Sequence, residues 1–218
     1  MFITEYMTVP PVSISPETSI SETNKLLKKN NFRHLPIVDD DNRLIGMVTD
    51  RDIRSAYPSN ILSPEEIKTF LAELENTPVK NIMSSLRFKL TLFSTLDDAL
   101  IILDREKIGA IPVVNETEEL MGMFSIRDLI AAYRKIFGLG ERGSAMIVVE
   151  HDGKRKPLSR IANILEKNRI RFTRMIRTEA ADGKPGRIYL RVNTYNISAV
   201  HSALREAGFK VVLPEYPS

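Results

Sequence analysis

Cysteine is absent from the 218 residues, which excludes disulfides, zinc-thiolate sites, iron–sulfur clusters and thiol nucleophiles together. Only three histidines occur, at positions 34, 151 and 201, and none stands in an HExxH or other ligand spacing, so no metal is expected to be required. No run of 18 apolar residues is present, which argues against a membrane span. The opening residues, MFITEYMTVPPVS, lack a basic stretch followed by an apolar core, which argues against a signal peptide. The expectation is a cytoplasmic protein that does not engage a membrane. A GxxxxGK[ST] phosphate loop is also missing, and no nucleophile–base pairing is evident, so an enzyme is the least favoured class.

What remains is a chain with 43% hydrophobic residues, enough to build cores, and a net charge of +3 that hides an asymmetry. Residues 1–137 carry 16 basic and 20 acidic side chains, whereas residues 138–218 carry 15 and 8. The basic part raises anionic partners, either nucleic acid or a small phosphorylated or carboxylated ligand; its plainer reading is a solvated basic surface.

The first part repeats itself at an offset of 76 residues. Met7 falls on Met83, Thr8 on Ser84, Ser19 on Thr95, Glu22 on Asp98, Pro36 on Pro112 and Val38 on Val114, and GMVTDRDI (46–53) superposes on GMFSIRDL (122–129) without a gap. Each copy reads as a short extended piece (Val12–Ile14; Phe88–Thr91), a helix opened by Ser19-x-x-Glu22 or Thr95-x-x-Asp98, two apolar strands forming a hairpin, and a second helix starting at the Thr or Ser of the octapeptide. Ile20, Leu26 and Leu27 in one copy, and Leu96, Leu100 and Leu103 in the other, are expected to form the buried stripe of the first helix. Ser63-Pro64-Glu65-Glu66 marks the start of a helix inserted between the copies, at about 63–75.

The octapeptide places a hydroxyl, an arginine and an aspartate around a helix start. Unsatisfied amides there, with Arg51 or Arg127 close by, suit a phosphate. Asp52 and Asp128 do not suit one, but a carboxylate can accept from two ribose hydroxyls. The pattern therefore suggests a nucleoside phosphate, while a simpler reading makes Thr49 and Ser125 N-caps and the aspartates first-turn acids.

With YMT and IMS at the two starts, and HLPIVD and AIPVVN before the turns, the octapeptides make residues 3–136 resemble a pair of CBS domains, a Bateman module. The resemblance implies two βαββα repeats that bind adenosine ligands, AMP, ADP, ATP or S-adenosylmethionine, in pseudosymmetric clefts. It implies that Asp52 and Asp128 hold ribose, that Thr49, Arg51, Ser125 and Arg127 face phosphates, and that Val12, Ile14, Pro36, Ile37, Phe88, Leu90, Pro112 and Val113 line adenine pockets. His34 is a further candidate for a phosphate or a base edge. His34 against Ala110, Arg33 against Gly109, and Asp50 against Ile126 predict unequal clefts.

A glycine-rich linker, 138–144, precedes a different pattern. AMIVVE reads as a strand, KPLSRIANILEKN as a helix with Leu158, Ile161, Ile164 and Leu165 on one face, and RIRFTRMIRT as a strand with Ile170, Phe172 and Ile176 inward. DGKPG (182–186) is a turn, RIYLRVNT a strand, ISAVHSALREAG a helix and FKVVLP a last strand. The order βαββαβ is that of a ferredoxin-like sandwich and resembles an ACT domain, although HDGKRKPL lacks the glycine after proline that this family's first loop carries. The whole layout resembles bacterial CBS/ACT regulatory proteins of the acetoin-utilization type.

The expected fold is thus α+β: CBS repeat 1 over 1–76, CBS repeat 2 over 77–137, a linker, and an ACT-like domain over 145–218. The expected function is non-catalytic sensing of an adenosine ligand, with homodimerisation through both parts and a regulated enzyme as partner. The alternative is nucleic-acid binding by the basic C-terminal part, where Arg169, Arg171, Arg174, Arg177, Arg187 and Arg191 lie near Phe172 and Tyr189.

Overall fold

The computed structural model describes residues 1–57, 63–151, 153–181 and 185–213, and it divides by packing into two units, Met1–Ala132 and Tyr133–Ser218. In the first unit, one repeat supplies α1 (Ile20–Asn30), β1 (His34–Val38), β2 (Leu44–Thr49) and α2 (Asp50–Ala56). The inserted helix α3 (Pro64–Asn76) follows. The other repeat supplies β3 (Leu90–Thr91), α4 (Leu96–Arg105), β4 (Ala110–Val114), β5 (Leu120–Ser125) and α5 (Ile126–Phe137).

Local signals account for these boundaries. Ser63 and Thr95 form reciprocal capping boxes with Glu66 and Asp98, and Pro64 occupies the first turn of α3. Ser19 Oγ accepts from the Glu22 amide, but the Ser19 amide does not donate back to the Glu22 carboxylate, so α1 is opened by a single cap rather than a box. β1 pairs with β2 and β4 with β5 as antiparallel hairpins. The first extended piece of repeat 1 is reduced to one parallel bridge, Ile14 to Ile37, where repeat 2 builds the two-residue β3 beside β4.

Leu100 does not join the stripe expected of it. Leu96, Ala99 and Leu103 are the buried side chains of α4, and Leu100, about 100° further round the helix than Ala99, is exposed.

The two repeats exchange their leading segments. Val79, ahead of repeat 2, is buried in the repeat 1 core with Ile20, Leu27, Leu35, Ile37, Val48 and Ile53. Ile3, ahead of repeat 1, is fully buried and its amide bonds to Ser94 O, while the Leu96 amide bonds to Met1 O. Thr8 then pairs with Met123, and Ser84 with Met47, each through two backbone hydrogen bonds. The octapeptide glycines permit these crossings: a Cβ on Gly46 would lie 2.8 Å from Met83 Sδ, and one on Gly122 would lie 3.0 Å from Met7 Sδ and 3.1 Å from Thr8 O. Each repeat therefore completes the other. At the far ends of the hairpins Leu44 donates to Glu118 O and Leu120 to Asn42 O, joining the two sheets at their turns.

The second unit contains β6 (Ser144–Glu150), α6 (Pro157–Lys167), β7 (Phe172–Arg177), β8 (Arg187–Asn193), α7 (Ile197–Glu206) and β9 (Val211–Val212). All pairs in its sheet are antiparallel, in the order β7-β8-β6-β9, the topology of a βαββαβ sandwich. Its core joins Ile147, Val149, Ile188, Leu190 and Val192 of the sheet to Ile161, Leu165, Val200 and Leu204 of the helices.

Two inward assignments are corrected here. Leu158 is exposed because the buried stripe of α6 runs Pro157, Ile161, Leu165, with Ile164 only partly buried beside it. A bulge between Phe172 and Arg174 breaks the alternation of β7, so Met175 packs on the core in place of Ile176, which is exposed. Phe172 also packs on the core, which removes it from any base-stacking face and leaves Tyr189 as the half-buried aromatic between Arg187 and Arg191 on β8. Arg174 donates to Lys135 O at 2.8 Å and to Ile136 O and ion-pairs with Glu141, capping the last turn of α5. Residues 182–184 of the expected turn, and Asp152, lie outside the described residues.

Candidate functional site

The segment exchange builds two clefts in the first unit, each walled by both repeats. Cleft A, of about 410 Å³, joins Thr8, Pro11 and Val12 from the start of repeat 1, and Asn31 to His34 after α1, to Gly109, Ala110, Met123, Ser125, Ile126, Arg127 and Asp128 of repeat 2. Cleft B, of about 540 Å³, joins Ser84 to Phe88, Glu106, Ile108, Ala110 and Pro112 of repeat 2 to His34, Met47 and Thr49 of repeat 1. Both volumes lie in the range of small-molecule sites. Among the described residues no group of three or more His, Asp or Glu side chains is placed to hold a metal, and no helix is long and apolar enough to cross a membrane.

In both octapeptides the hydroxyl and the aspartate first serve the helix. Thr49 N and Oγ1 donate to Asp52 Oδ2, each at 2.8 Å; Ser125 N and Oγ donate to Asp128 Oδ2 at 2.8 and 2.7 Å. The Asp52 and Asp128 amides return bonds to the hydroxyls. These bonds converge on one oxygen of each carboxylate, leaving Oδ1 for another partner. Capping and ligand contact are therefore compatible.

The clefts do not use the two octapeptides equally. Ser125, Arg127 and Asp128 all line cleft A, with Val12 and His34 opposite. Thr49, His34, Phe88 and Pro112 line cleft B, but Arg51 is exposed and Asp52 half-buried, and neither lines a cleft. Pro36 is buried in β1 outside both linings. Ile14, Ile37, Leu90 and Val113 are corrected to core residues, with between 0% and 6% of their surface accessible. Strand alternation explains the last of these: Ala110 and Pro112 turn to the cleft, so Ile111 and Val113 turn inward.

His34 belongs to both clefts. Its ring lies against Gly109, where an added Cβ would fall 2.7 Å from Cε1. Burial pushes its pKa below the ordinary 6.5, against the opposing pull of Asp50, so the imidazole is neutral at pH 7. Asp50 itself is ion-paired to Arg54 at 2.9 Å.

Sequence reasoning missed Thr8 and Asn31 in cleft A, and Ser84, Ser85, Arg87 and Glu106 in cleft B; it named Arg33 and Gly109 as a difference between the clefts, and the structure places both in the lining of cleft A. The signal for Thr8 and Ser84 was the matched YMT and IMS, whose place in the opposite repeat's cleft follows only from the crossover. Glu106 accepts from Arg105 Nε at 2.6 Å; cleft B thus carries Glu106 with Arg87, where cleft A carries Asp128 with Arg33 and Arg127.

The model of the CBS domain matches residues 3–59 and 79–135. A CBS domain-containing protein of Dictyostelium discoideum is 29% identical over 136 residues, 62% of this chain and 93% of that protein. Inosine-5′-monophosphate dehydrogenase of Aquifex aeolicus is 29% identical over 126 residues, 57% of this chain but only 23% of the enzyme. Among solved structures, a CBS domain pair in complex with 5′-methylthioadenosine and S-adenosyl-L-methionine is 25% identical with a TM-score of 0.51, covering 62% of this chain and 98% of that one. Two matched segments that together exceed half the chain, folded as paired repeats, make this chain a member of the CBS-domain family.

Proposed function

We propose that the chain is a non-catalytic regulatory sensor whose CBS clefts bind an adenosine ligand, AMP, ADP, ATP or S-adenosylmethionine. The observation that carries this reading is the convergence of Ser125, Arg127 and Asp128 on cleft A, opposite the apolar Val12. Arg127 and the first amides of α5 face the phosphate, the free oxygen of Asp128 accepts from ribose hydroxyls, and Val12, Met123 and Ile126 contact the base. Support also comes from the related CBS pair that binds two adenosine derivatives. Cleft B, where Arg87 is offset by Glu106 and from which Arg51 and Asp52 are missing, is the weaker site for an anionic ligand. Thr49, Phe88 and Pro112 are its contacts, and His34 contributes to both.

Binding changes how the chain pairs with itself or engages a regulated enzyme, which requires only that the ligand favour one arrangement by about 1–3 kcal/mol. The C-terminal unit is read as an ACT-like domain over 145–218, supported by its sheet order, and the chain as a cytoplasmic homodimer that needs no metal. A thermal-shift titration of the full chain with AMP, ATP and S-adenosylmethionine tests the proposal. A saturable rise in Tm with at least one ligand is expected. No binding at millimolar ligand, with the protein folded, would overturn it.

A further inference from the structure

One imidazole stands where the two clefts meet. His34 and Ala110, equivalent at the offset of 76, are the first residues of β1 and β4, and both line both clefts. His34 pairs in register with Thr49 of cleft B, and its ring rests against Gly109 of cleft A. A Cβ on Gly109 would fall 2.7 Å from Cε1, 3.4 Å from Nε2 and 3.8 Å from Nδ1, so both ring nitrogens lie at the shared wall. Gly109 stands where repeat 1 has Arg33, and Ala110 where it has His34, and these small residues leave room for the ring. Two clefts therefore share one imidazole. Among the described residues no hydrogen bond ties up its nitrogens, which leaves them for a ligand.

Burial keeps the ring neutral at pH 7, and a neutral imidazole carries one N–H while its other nitrogen accepts. An ionised phosphate only accepts, so the N–H alone suits it. One donor cannot serve two anions at once. We propose that the clefts compete for the His34 N–H, so that an anionic nucleotide bound in cleft A weakens the binding of a second in cleft B. The inference rests on the reading that the clefts bind adenosine phosphates, and it adds a coupling to their fixed difference in lining. Cleft A, with Arg33 and Arg127, fills first and takes the donor. Cleft B is then left with Arg87 offset by Glu106, without the imidazole. By linkage the effect is mutual: a ligand held in cleft B weakens cleft A by the same factor.

Isothermal titration of the full chain with AMP, at about pH 8 where the imidazole is neutral, measures the competition. Val12→Trp with Arg127→Ala closes cleft A, since both residues line that cleft and not the other, and isolates cleft B. Wild type is expected to bind in two steps. The closed variant is expected to bind AMP roughly tenfold more tightly than the weaker wild-type step, the worth of one hydrogen bond to a charged group. Adding His34→Ala to the closed variant removes that gain and returns the affinity to within about twofold of the weaker wild-type step. Gly109→Ala, which drives a methyl into the ring, is a second way of displacing it, and circular dichroism verifies the folding of each variant. A single wild-type step, with cleft B binding only once cleft A is closed, is the same competition in its extreme form, and His34→Ala again abolishes it. Equal cleft B affinity with cleft A filled or closed overturns the competition. So does a gain that persists without His34, which would mark plain repulsion between two phosphates, and so does loss of all binding once cleft A is closed. Failure of folded wild type to bind AMP at all overturns the adenosine-phosphate reading on which the inference rests.

Discussion

Clefts A and B are assembled by the same rule and furnished differently. Each takes its leading segment from one repeat and its octapeptide from the other, yet cleft A gathers the hydroxyl, arginine and aspartate of GMFSIRDL, while cleft B receives the Met47 and Thr49 of GMVTDRDI and leaves Arg51 and Asp52 outside. Repetition of a motif therefore fixed a backbone crossing, at Gly46 and Gly122, more strictly than it fixed a binding site. Helix length sharpens the contrast. α5 continues for 12 residues, whereas α2 stops after 7, so α5 presents the fuller dipole to an anion.

The largest expected effect of breaking the comparison is at the crossings. Gly122→Ala is expected to destabilise the protein by about 1–3 kcal/mol in urea denaturation, because beside the flexible Met7 thioether at 3.0 Å the backbone carbonyl of Thr8 stands only 3.1 Å from the added Cβ. Gly46→Ala costs less: its closest obstruction is the Met83 thioether, which can swing aside, and the Ser84 carbonyl is 3.3 Å away. Equal costs would mean that the two crossings are mechanically equivalent.

A smaller effect separates the repeats by pH, since His34 has Ala110 as its counterpart. Burial lowers the His34 pKa, so below the ordinary 6.5 the unfolded chain binds more protons than the folded one, and stability falls as pH falls from 6.5 through the folded-state value. His201 is shifted the same way, by burial and then by Arg205, so the informative quantity is the difference between wild type and His34→Ala. The variant is expected to lose less stability than wild type between about pH 7 and pH 5. Parallel curves would show that the imidazole is not held neutral by its surroundings.

Much of this organisation was legible in the sequence. The 76-residue offset identified the repeats, the capping residues placed α3 and α4, and the alternation of RIYLRVNT placed Ile188, Leu190 and Val192 inward. What escaped was whatever depends on a distant partner or a local irregularity. Periodicity could not reveal that Thr8 and Ser84 line the clefts built on the opposite octapeptides, because that follows from chain crossing rather than from spacing. Nor could it reveal the bulge after Phe172, which shifts every later residue of β7 by one position. Val113 and Ile37 were drawn into the site because strand residues beside a cleft alternate, and composition alone does not say which set turns outward.

The unequal use of the two arginines bears most directly on the account. Isothermal titration of AMP into the full chain should show Arg127→Ala weakening the tighter site by at least roughly tenfold, while Arg51→Ala stays within about twofold of wild type. Equal losses from the two substitutions, or a larger loss from Arg51→Ala, would contradict the assignment of cleft A as the principal ligand site.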